Sequence, residues 1–559
     1  RLRKCLSSVE RSRVNEMDLS KEVKTSHGSA DFEEAISLAG RGKFSYLVLI
    51  TGGFAMMISL LATVDVTYVL PSAECELKLE KKDRGTLSGA FFIGIIVSSH
   101  LLGFLSDTLG RRYILVRSLF INIFVYIIAS MSPNYWVLLI MRFITGIVLC
   151  GLLTCGIVYV GEFHSNKHRT QAVMALSSLA VGAFVYCAAL GWLILPNEVS
   201  LPLFGLYTFT PWRLYYILLG VVPSVIVGII VFFLPESPKY LLACGKTEEA
   251  LEILKKVYSI NKGKPKDQYP VKTLLRNPNE QVSQLAGKSK SPGAVLRIIW
   301  NQTYPLFVPP HVLNMLFSCT ILFSLFYSFS GINIWAPDII NQLIIKIQAN
   351  GSSSNPVQMC NIVESNWTKN IEINEANLNT GLNSSVAEEG ECRNTLKVTM
   401  FQLNSITGVI LSVCIFLTSL VLPKNRTKAF VAISCILTIV IYGVLLEVPN
   451  YYIMLLCLSV AIILLNIIFC GTTTLLVDYF PTNLRGMAVC LAIMSGRLGS
   501  AVGGGVFSAF LLTECRNVFY GAGIIMVVGA ICCLSLQSPT GKAKKAAKKE
   551  VKKVINTIA

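Results

Sequence analysis

Polar and apolar residues follow one another along this chain in long blocks rather than at the short periods of soluble helices or strands. Near-continuous apolar runs of about 20 residues, the length of a helix that crosses a bilayer, recur through most of the sequence. They predict an all-α membrane protein with twelve transmembrane helices. The predicted spans are residues 45–70, 87–107, 113–130, 135–160, 171–195, 213–234, 311–335, 398–422, 427–446, 451–478, 484–510 and 516–536.

A polar connector, residues 235–310, separates the first six apolar runs from the second six. Its segment KTEEALEILKKVYSI places Leu251, Leu254, Val257 and Tyr258 on one stripe, the pattern of a helix that lies against the bundle. The chain therefore divides into a cytosolic N-terminal segment (1–44), an N-terminal six-helix bundle (45–234), the cytosolic connector, a C-terminal six-helix bundle (311–536) that contains an outer loop (336–397), and a basic cytosolic tail (537–559).

Charged residues are scarce and unevenly placed. Hydrophobic residues make up 53% of the chain and charged residues 14%, against about 25% charged in soluble proteins. The formal net charge of +17 collects in alternate loops, such as GRRY at 110–113, NKHR at 166–169 and the C-terminal tail. By the positive-inside rule, this alternation places both termini in the cytosol. The lipid bilayer is therefore the expected partner of the chain, and nucleic-acid binding is not predicted. For the basic tail, a solvated segment is favoured over one held at the anionic inner leaflet.

Seventeen cysteines are present, but most lie inside apolar runs, where cysteine behaves as a small hydrophobic residue. The chain has no C-x-x-C spacing, and neither a metal site nor a cofactor is predicted. Cys360 and Cys392 share the outer loop, on the oxidising side of the membrane, and are the expected disulfide pair. Cys75 and Cys515 are predicted on the same side and are alternative partners.

The two halves of the chain repeat one another at the ends of the fourth and tenth runs. YVGEFHSNKHR contains Glu162 seven residues before Arg169, and LVDYFPTNLRG contains Asp478 seven residues before Arg485. Both members of the second pair are offset by 316 positions from the first. Two six-helix repeats around a midplane site are typical of secondary transporters.

GFLSDTLGRR, at residues 103–112, resembles the signature that the major facilitator superfamily carries between its second and third helices. Thr108 stands where a basic residue is usual. The matching residues are Gly103, Leu105, Asp107, Gly110, Arg111 and Arg112.

Four other segments are similar to the synaptic vesicle glycoprotein 2 group and related organic-ion carriers. They are YVLPSAE after the first run, PWRLYYILLGVVPS opening the sixth, LPESPKYLLACGKTEEALEILKKV after it, and GINIWAPDII ending the seventh. The resemblance implies the major facilitator fold, with two six-helix halves that alternate access to a central site. It also implies a monomer in the plasma membrane or in a secretory or synaptic vesicle membrane. Its cargo would be a small organic solute, alone or with a coupling ion, and cytosolic trafficking proteins are candidate partners.

Charged residues at the cytosolic ends of the predicted helices form a candidate inner gate. Arginines there can bond carboxylates or terminal carbonyls, and such bonds would hold the cytosolic side closed. In the second half Leu422 and Asn425 replace the aspartate and the glycine of the signature, which predicts asymmetric gating. The gate residues are Gly103, Asp107, Gly110, Arg111, Arg112, Glu162, Arg169, Asp478 and Arg485.

Arg497 interrupts the eleventh apolar run, in LAIMSGRLGSAVGG at residues 491–504. By helical rise it lies about 20 Å from either end of that span, where a guanidinium costs at least about 2.5 to 3.5 kcal/mol. Organic-ion carriers have a segment that resembles this GRLGS. At the matching position anion carriers have an arginine, cation carriers an acid and the vesicle glycoproteins a lysine. Arg497 therefore favours an anionic substrate or an internal counter-ion, and the alternative is a structural arginine bonded to backbone carbonyls.

Asp65 is the acid placed well inside an outer-half span, about 9 Å from the outer end by helical rise. It fits either a hydrated residue at the mouth or a coupling or counter-ion residue. The two acids of the vesicle glycoproteins' first span fall here at Ser59 and Ala62, so the sequence does not support proton coupling like theirs. Further candidates for the substrate cavity are Tyr186, Trp192, Tyr327, Asn333, Trp335, Asn404 and Asn466.

Two hypotheses of function follow from these features. The leading one is a secondary transporter of a small organic, charged solute, with an anion favoured. The alternative is a transporter-fold protein that no longer transports and acts in vesicle trafficking or partner binding, which the altered second loop and the missing acid pair favour. An enzyme is not expected, because no nucleophile, metal or nucleotide constellation is recognisable.

The outer loop carries three glycosylation sequons, at Asn350, Asn366 and Asn383. We expect glycan on at least one of them and none at Asn301 or Asn425, whose sequons fall on the cytosolic side. Intact-mass analysis before and after glycosidase treatment, followed by site mapping, checks this. Glycan on Asn425 would contradict the predicted topology.

Overall fold

A computed structural model describes residues 28–74, 76–80, 82–196, 201–203, 207–275, 300, 303–350, 358–363, 397–421, 426–480 and 482–536 of the chain. Within these residues, twelve helices are long and apolar enough to cross a membrane. The predicted all-α membrane fold is therefore confirmed. Such helices satisfy their own backbone hydrogen bonds, which hydrocarbon cannot do for them.

The spanning helices form two sets of six. The first set is α2 (Lys43–Ala73), α3 (Asp83–Leu109), α4 (Arg111–Ser130), α5 (Tyr135–Glu162), α6 (Asn166–Ile194) and α7 (Pro211–Phe233). The second set is α10 (Val312–Asn350), α11 (Val398–Val421), α12 (Thr427–Glu447), α13 (Tyr451–Tyr479), α14 (Thr482–Phe510) and α15 (Cys515–Ser535).

Shorter elements lie between and before the spanning helices. The helices are α1 (Phe32–Ala39), α8 (Pro238–Ala243) and α9 (Thr247–Lys262), with 3-10 turns at Lys266–Gln268 and Tyr304–Phe307. The strands are β1 (Ser29–Ala30), β2 (Leu201–Leu203), β3 (Tyr207–Phe209) and β4 (Thr273–Leu274). Strand β1 pairs in parallel with β4, and β2 pairs antiparallel with β3.

The N-terminal segment and the connector pack together at one end of the first half, which we call the connector face. The Tyr269 hydroxyl donates to the Ala35 carbonyl of α1 at 2.7 Å. The Asn261 side chain at the end of α9 accepts from the amide of Phe44 at 3.0 Å and donates to the Gly40 carbonyl at 2.8 Å. The predicted surface helix is α9, and Leu254, Val257 and Tyr258 of its predicted stripe are buried. Residues predicted as two separate segments thus form one unit.

Helix α10 is longer than the sequence predicted. The seventh span was expected to end at residue 335, whereas α10 continues through Pro337 to Asn350. Its added turns bury Ile339, Ile340 and Leu343 against the bundle. This apolar face extends the helix into the predicted outer loop. Of the predicted glycosylation sites, Asn350 is the last residue of α10, while Asn366 and Asn383 lie outside the described residues.

The predicted pairing of Cys360 with Cys392 is wrong, because Cys360 forms a disulfide with Cys515. Residues 358–363 dock on the start of α15, where Met359, Cys360 and Cys515 are buried. This packing brings the two Cα atoms to 5.5 Å. Cys392 lies outside the described residues. We call this end of the bundle, opposite the connector face, the disulfide face.

Peptide mapping tests the disulfide. Proteolysis without reduction should yield one linked species that contains Cys360 and Cys515, and reduction should separate its two peptides. The control is the same digest of the Cys515→Ser variant, in which the species should disappear. A linked peptide that joins Cys360 to Cys392 would instead restore the pairing expected from the sequence.

Candidate functional site

Arg497 lies in α14, between the two halves of the molecule. Its guanidinium carbon is 5.8 Å from the ring centroid of Phe92 in α3 and 5.1 Å from that of Phe326 in α10. The residue is 7% exposed, and its Nε has no hydrogen-bond partner in the part of the chain that the structure describes. The rings supply cation–π contacts but no acceptor oxygens. The five N–H donors of a guanidinium therefore leave this position with capacity for an anion or for water.

A cavity of about 20 Å³ lies between the halves, where α2, α6, α10, α11 and α13 meet. The predicted residues Asn333 and Asn404 line it, together with Thr67. The hydroxyl of Thr67 and the amide nitrogen of Asn404 are buried without a partner among the described residues. Neutral groups of this kind orient a solute by hydrogen bonding. At this volume the cavity admits only a water-sized group in the present conformation.

Aromatic rings connect Arg497 to the cavity. Phe326, which faces the guanidinium, packs edge-on against Phe329 at 6.3 Å between centroids. Phe329 in turn packs against Phe184 of α6 at 6.4 Å, and Phe184 lines the cavity. The charged group and the polar cavity are therefore the two ends of one aromatic layer that spans both halves.

Two predicted cavity residues of α6 lie elsewhere. The Tyr186 hydroxyl donates to the Leu218 carbonyl at 2.9 Å, which ties α6 to α7 within the first half. Trp192 is 49% exposed near the end of α6. Neither residue lines the cavity. In membrane proteins such aromatic positions commonly serve helix contacts or the interfacial belt.

Three predicted residues of the second half have partners inside the bundle rather than at the cavity. Tyr327 packs edge-on against Phe507 of α14, with 6.2 Å between centroids. The indole of Trp335 donates to the Ser508 hydroxyl at 3.3 Å. The Asn466 side chain donates to a carbonyl of its own helix. The first two stabilise the contact between α10 and α14.

Asp65 belongs to a buried ion pair inside the first half. Nη1 of Arg142 in α5 donates to the two Asp65 oxygens at 2.8 and 2.9 Å, and the Tyr126 hydroxyl donates at 3.1 Å. Nη2 of Arg142 donates to the Ala62 carbonyl at 2.9 Å. Asp65 is 0% exposed. Of the two alternatives for Asp65, the hydrated mouth residue does not fit this burial, whereas the counter-ion residue does, because the carboxylate is paired with Arg142.

One ion-pair cluster links the two halves near the disulfide face. Arg84, at the start of α3, pairs with Glu74 at 2.9 Å and with Asp338 of α10. Its guanidinium carbon also lies 4.9 Å from the ring centroid of Trp335. Arg84 is 4% exposed. The cluster holds the disulfide-face ends of the halves together in this conformation.

A second cluster at the disulfide face lies within the first half. Glu76 accepts hydrogen bonds from Arg213 at 2.5 Å, Trp212 at 2.7 Å and Thr210 at 2.8 Å. Burial raises the pKa of the Glu76 carboxyl, but these hydrogen bonds outweigh it and lower the pKa below the usual value. The cluster therefore contributes stability above the unfolded pKa of glutamate and loses that contribution as the pH falls.

The signature residues form a network within the first half. Arg111 pairs with Asp107 at 2.9 Å and with Glu162 at 3.3 Å. Glu236, after α7, accepts from the amide of Arg112 at 3.0 Å and so caps the start of α4. The remaining signature glycines are Gly110, which has φ +106° at this turn, and Gly103, whose surroundings leave space for a side chain.

Arg169 joins α6 to the N-terminal helix. It pairs with Glu33 of α1 at 2.6 Å and donates to the Gly161 carbonyl at 2.9 Å. In this conformation the described gate residues therefore connect elements of the first half rather than the two halves. The side chains of Asp478 and Arg485 lie outside the described part of the structure.

Residues 36–346, more than half of the chain, match the model of the sugar (and other) transporter family. The chain belongs to this family. Residues 386–558 match the model of the Major Facilitator Superfamily, as the signature at 103–112 predicted. The protein is therefore an integral, multi-pass membrane protein with a transporter fold.

Relatives of this family member include synaptic vesicle glycoproteins. Human synaptic vesicle glycoprotein 2B is 28% identical over 324 residues, which cover 55% of this chain and 47% of that protein. Synaptic vesicle glycoprotein 2A of Bos taurus is 28% identical over 326 residues, covering 56% and 44%. The chain thus spans about half the length of these relatives.

Solved structures share the fold. The xylose transporter XylE from E. coli, in a partially occluded inward-open conformation, superposes with a TM-score of 0.56 at 14% identity over 88% of this chain and 98% of that one. The human organic anion transporter MFSD10 superposes with a TM-score of 0.53 at 13% identity over 88% and 99%. At such identities the likeness concerns the fold alone.

Sequence reasoning missed Arg142, Arg84 and Glu236 in this protein. Arg142 carried a usable signal, since it interrupts the fourth apolar run just as Arg497 interrupts the eleventh. Arg84 sits in a loop of mixed charge, and nothing in its sequence neighbourhood indicates a partner in the other half. Glu236 follows the sixth run as an ordinary polar residue, and its capping role depends on the tertiary contact with α4.

A double-variant cycle tests the Asp65–Arg142 pair. Asp65→Asn should destabilise the protein by about 3 to 5 kcal/mol, because it leaves a buried guanidinium without its counter-ion. Arg142→Met added to Asp65→Asn should recover part of that loss. The measurement is thermal unfolding in detergent, followed by size-exclusion chromatography, with the exposed Lys256→Gln as control. Additive losses in the double variant would show that the two side chains are not coupled.

Proposed function

We propose that this protein is a secondary transporter that moves a small organic anion by alternating access. The observation that carries the proposal is the position of Arg497, a buried cation between the halves without a carboxylate partner among the described residues. The other three buried arginines of the described chain all have carboxylate partners. Arg497 is therefore the one whose donors are available to a solute.

The neighbouring groups support a small, partly polar solute. Thr67, Asn333 and Asn404 offer neutral donors and acceptors on both sides of the interface between the halves. The aromatic layer between this cavity and Arg497 suits an apolar or ring-shaped part of the solute. An organic anion has both a negative charge for Arg497 and an apolar part for the aromatic layer.

The direction of the protein in the membrane is part of the same proposal. The basic segments of the first half lie at the connector face, which suits the cytosol by the positive-inside rule. The Cys360–Cys515 disulfide lies at the opposite face, which suits an oxidising compartment. The membrane is then that of a secretory or synaptic vesicle or the plasma membrane.

Uptake into proteoliposomes tests the function. Labelled organic anions, cations and neutral sugars are compared at two pH values, so that one series gives both the charge preference and any coupling to protons. We expect uptake of anions, and a dependence on the pH gradient would indicate coupling to protons. Absence of uptake for all three classes would favour the alternative of a transporter-fold protein in trafficking.

Variants at Arg497 give the sharper test. Arg497→Ala should lower anion uptake about 10- to 100-fold, the loss of a hydrogen bond to a charged group. Arg497→Lys should retain part of the uptake, because it keeps the charge but loses the two-pronged donor geometry. The control is Arg426→Ala, an exposed arginine of the same half. Normal transport by Arg497→Ala, or its misfolding, would make the arginine structural.

A further inference from the structure

A cavity of about 460 Å³ lies on the outside of the first half at the connector face, away from the central site. It is enclosed by the start of α4, the end of α7 and α8. Leu109, Tyr113 and Phe232 contribute to its lining and are 48%, 44% and 57% exposed. Exposed apolar side chains on a spanning bundle face lipid. The cavity therefore opens toward the bilayer at the level where the spanning helices α4 and α7 end.

Three basic side chains line this cavity. Arg117 is exposed, and its guanidinium carbon lies 4.9 Å from the Tyr113 ring centroid. No carboxylate among the described residues pairs with Arg117 or with Arg112. The Arg112 guanidinium donates to the carbonyl of Val231 at 3.4 Å and to that of Phe232, at the end of α7. Lys246 pairs with Glu249 at 2.9 Å, but both side chains are more than half exposed, so that pair holds the ammonium weakly.

One acid, Glu236, lines the cavity beside these three cations. Its carboxylate oxygens accept hydrogen bonds from the backbone amides of Arg112 at 3.0 Å, Ser237 at 2.8 Å and Tyr113 at 3.4 Å. It thereby satisfies the first turn of α4. The three cations outnumber this one carboxylate, so the lining of the cavity carries a positive excess.

The geometry places the cations at the depth of lipid headgroups. Arg117 lies six residues into α4, about 9 Å by helical rise, but helical side chains point back toward the helix start. Its contact with Tyr113, one turn nearer the connector face, confirms that direction. Toward the bilayer centre the surface becomes wholly apolar, with Phe120 and Phe124 on α4 and Ile229 on α7 all at least half exposed.

We propose that this cavity binds the headgroup of an anionic phospholipid. Arg117 and Lys246 hold the phosphate and the headgroup carboxylate, Arg112 adds positive charge beside them, and the acyl chains lie along the exposed face of α4 and α7. The exposed apolar side chains that line the cavity favour a lipid over a soluble anion with the same headgroup. A soluble anion would gain nothing from Leu109 and Phe232.

Native mass spectrometry of the full chain tests the proposal. Protein in detergent is mixed with phosphatidylserine or phosphatidylcholine, and the retained lipid is counted. We expect phosphatidylserine to be preferred, and Arg117→Gln/Lys246→Gln to weaken its binding about 30-fold, since each basic group near a membrane surface contributes about fivefold. Lys256→Gln removes an exposed lysine of α9 and should leave binding unchanged. Arg117→Lys keeps the charge, should keep most of the binding and reports on folding.

Three results would overturn the lipid site. The first is equal retention of the two lipids by the unmodified protein. The second is full phosphatidylserine binding by the double variant. The third is competition by glycerophosphoserine, the same headgroup without acyl chains, at concentrations similar to those of the lipid. That last result would indicate a soluble anion as the occupant.

Discussion

Taking an arginine out of water and into a bundle of apolar helices costs several kcal/mol unless acceptors replace the lost hydration. The described residues contain four arginines that are buried. The four guanidinium groups differ in the groups that they contact. Three have carboxylates brought to them from other segments of the chain, and one has only aromatic faces. These are Arg84 with Glu74 and Asp338, Arg142 with Asp65, Arg213 with Glu76, and Arg497 between Phe92 and Phe326.

Most of these ion pairs join helices within one half of the molecule, and few join the two halves. Two of the three ion pairs, and the network around Arg111 and Glu236, lie wholly within the first half. They hold the six helices of the first half, α2 through α7, and the connector elements together as one unit. Between the halves, the Arg84 cluster and the aromatic layer are joined by close packing of small residues, as where a methyl group on Gly85 of α3 would lie 2.8 Å from the Gly504 carbonyl of α14. A first half held together by its own ion pairs suits rocking as a unit about a central site.

The sequence predicted the helices better than the partners. Apolar runs of membrane-spanning length are a local signal, which is why all twelve spans were found. Helix α10 is longer than predicted because its extra turns are stabilised by burial of one face alone. The disulfide required knowing that residues 358–363 dock on α15. Asp65 was found as an intramembrane acid, but its environment depended on Arg142, which lies 77 positions away. Which charges pair over long distances depends on how the helices pack, and the spacing of apolar and polar residues in the sequence does not indicate it.

Arg497 differs from the other buried arginines in a way that bears on mechanism. A counter-ion on the same half, such as Asp65 for Arg142, stays in place whatever the halves do. Arg497 contacts one ring from each half, so its surroundings change whenever the halves move apart. In an open state water can solvate the guanidinium, but closing the halves around it removes that water and raises the cost of the bare charge. Under the proposed function, an anion bound beside Arg497 would lower that cost. Closure would then be easier for the loaded protein than for the empty one, and a single unpaired arginine would couple solute binding to the change of access.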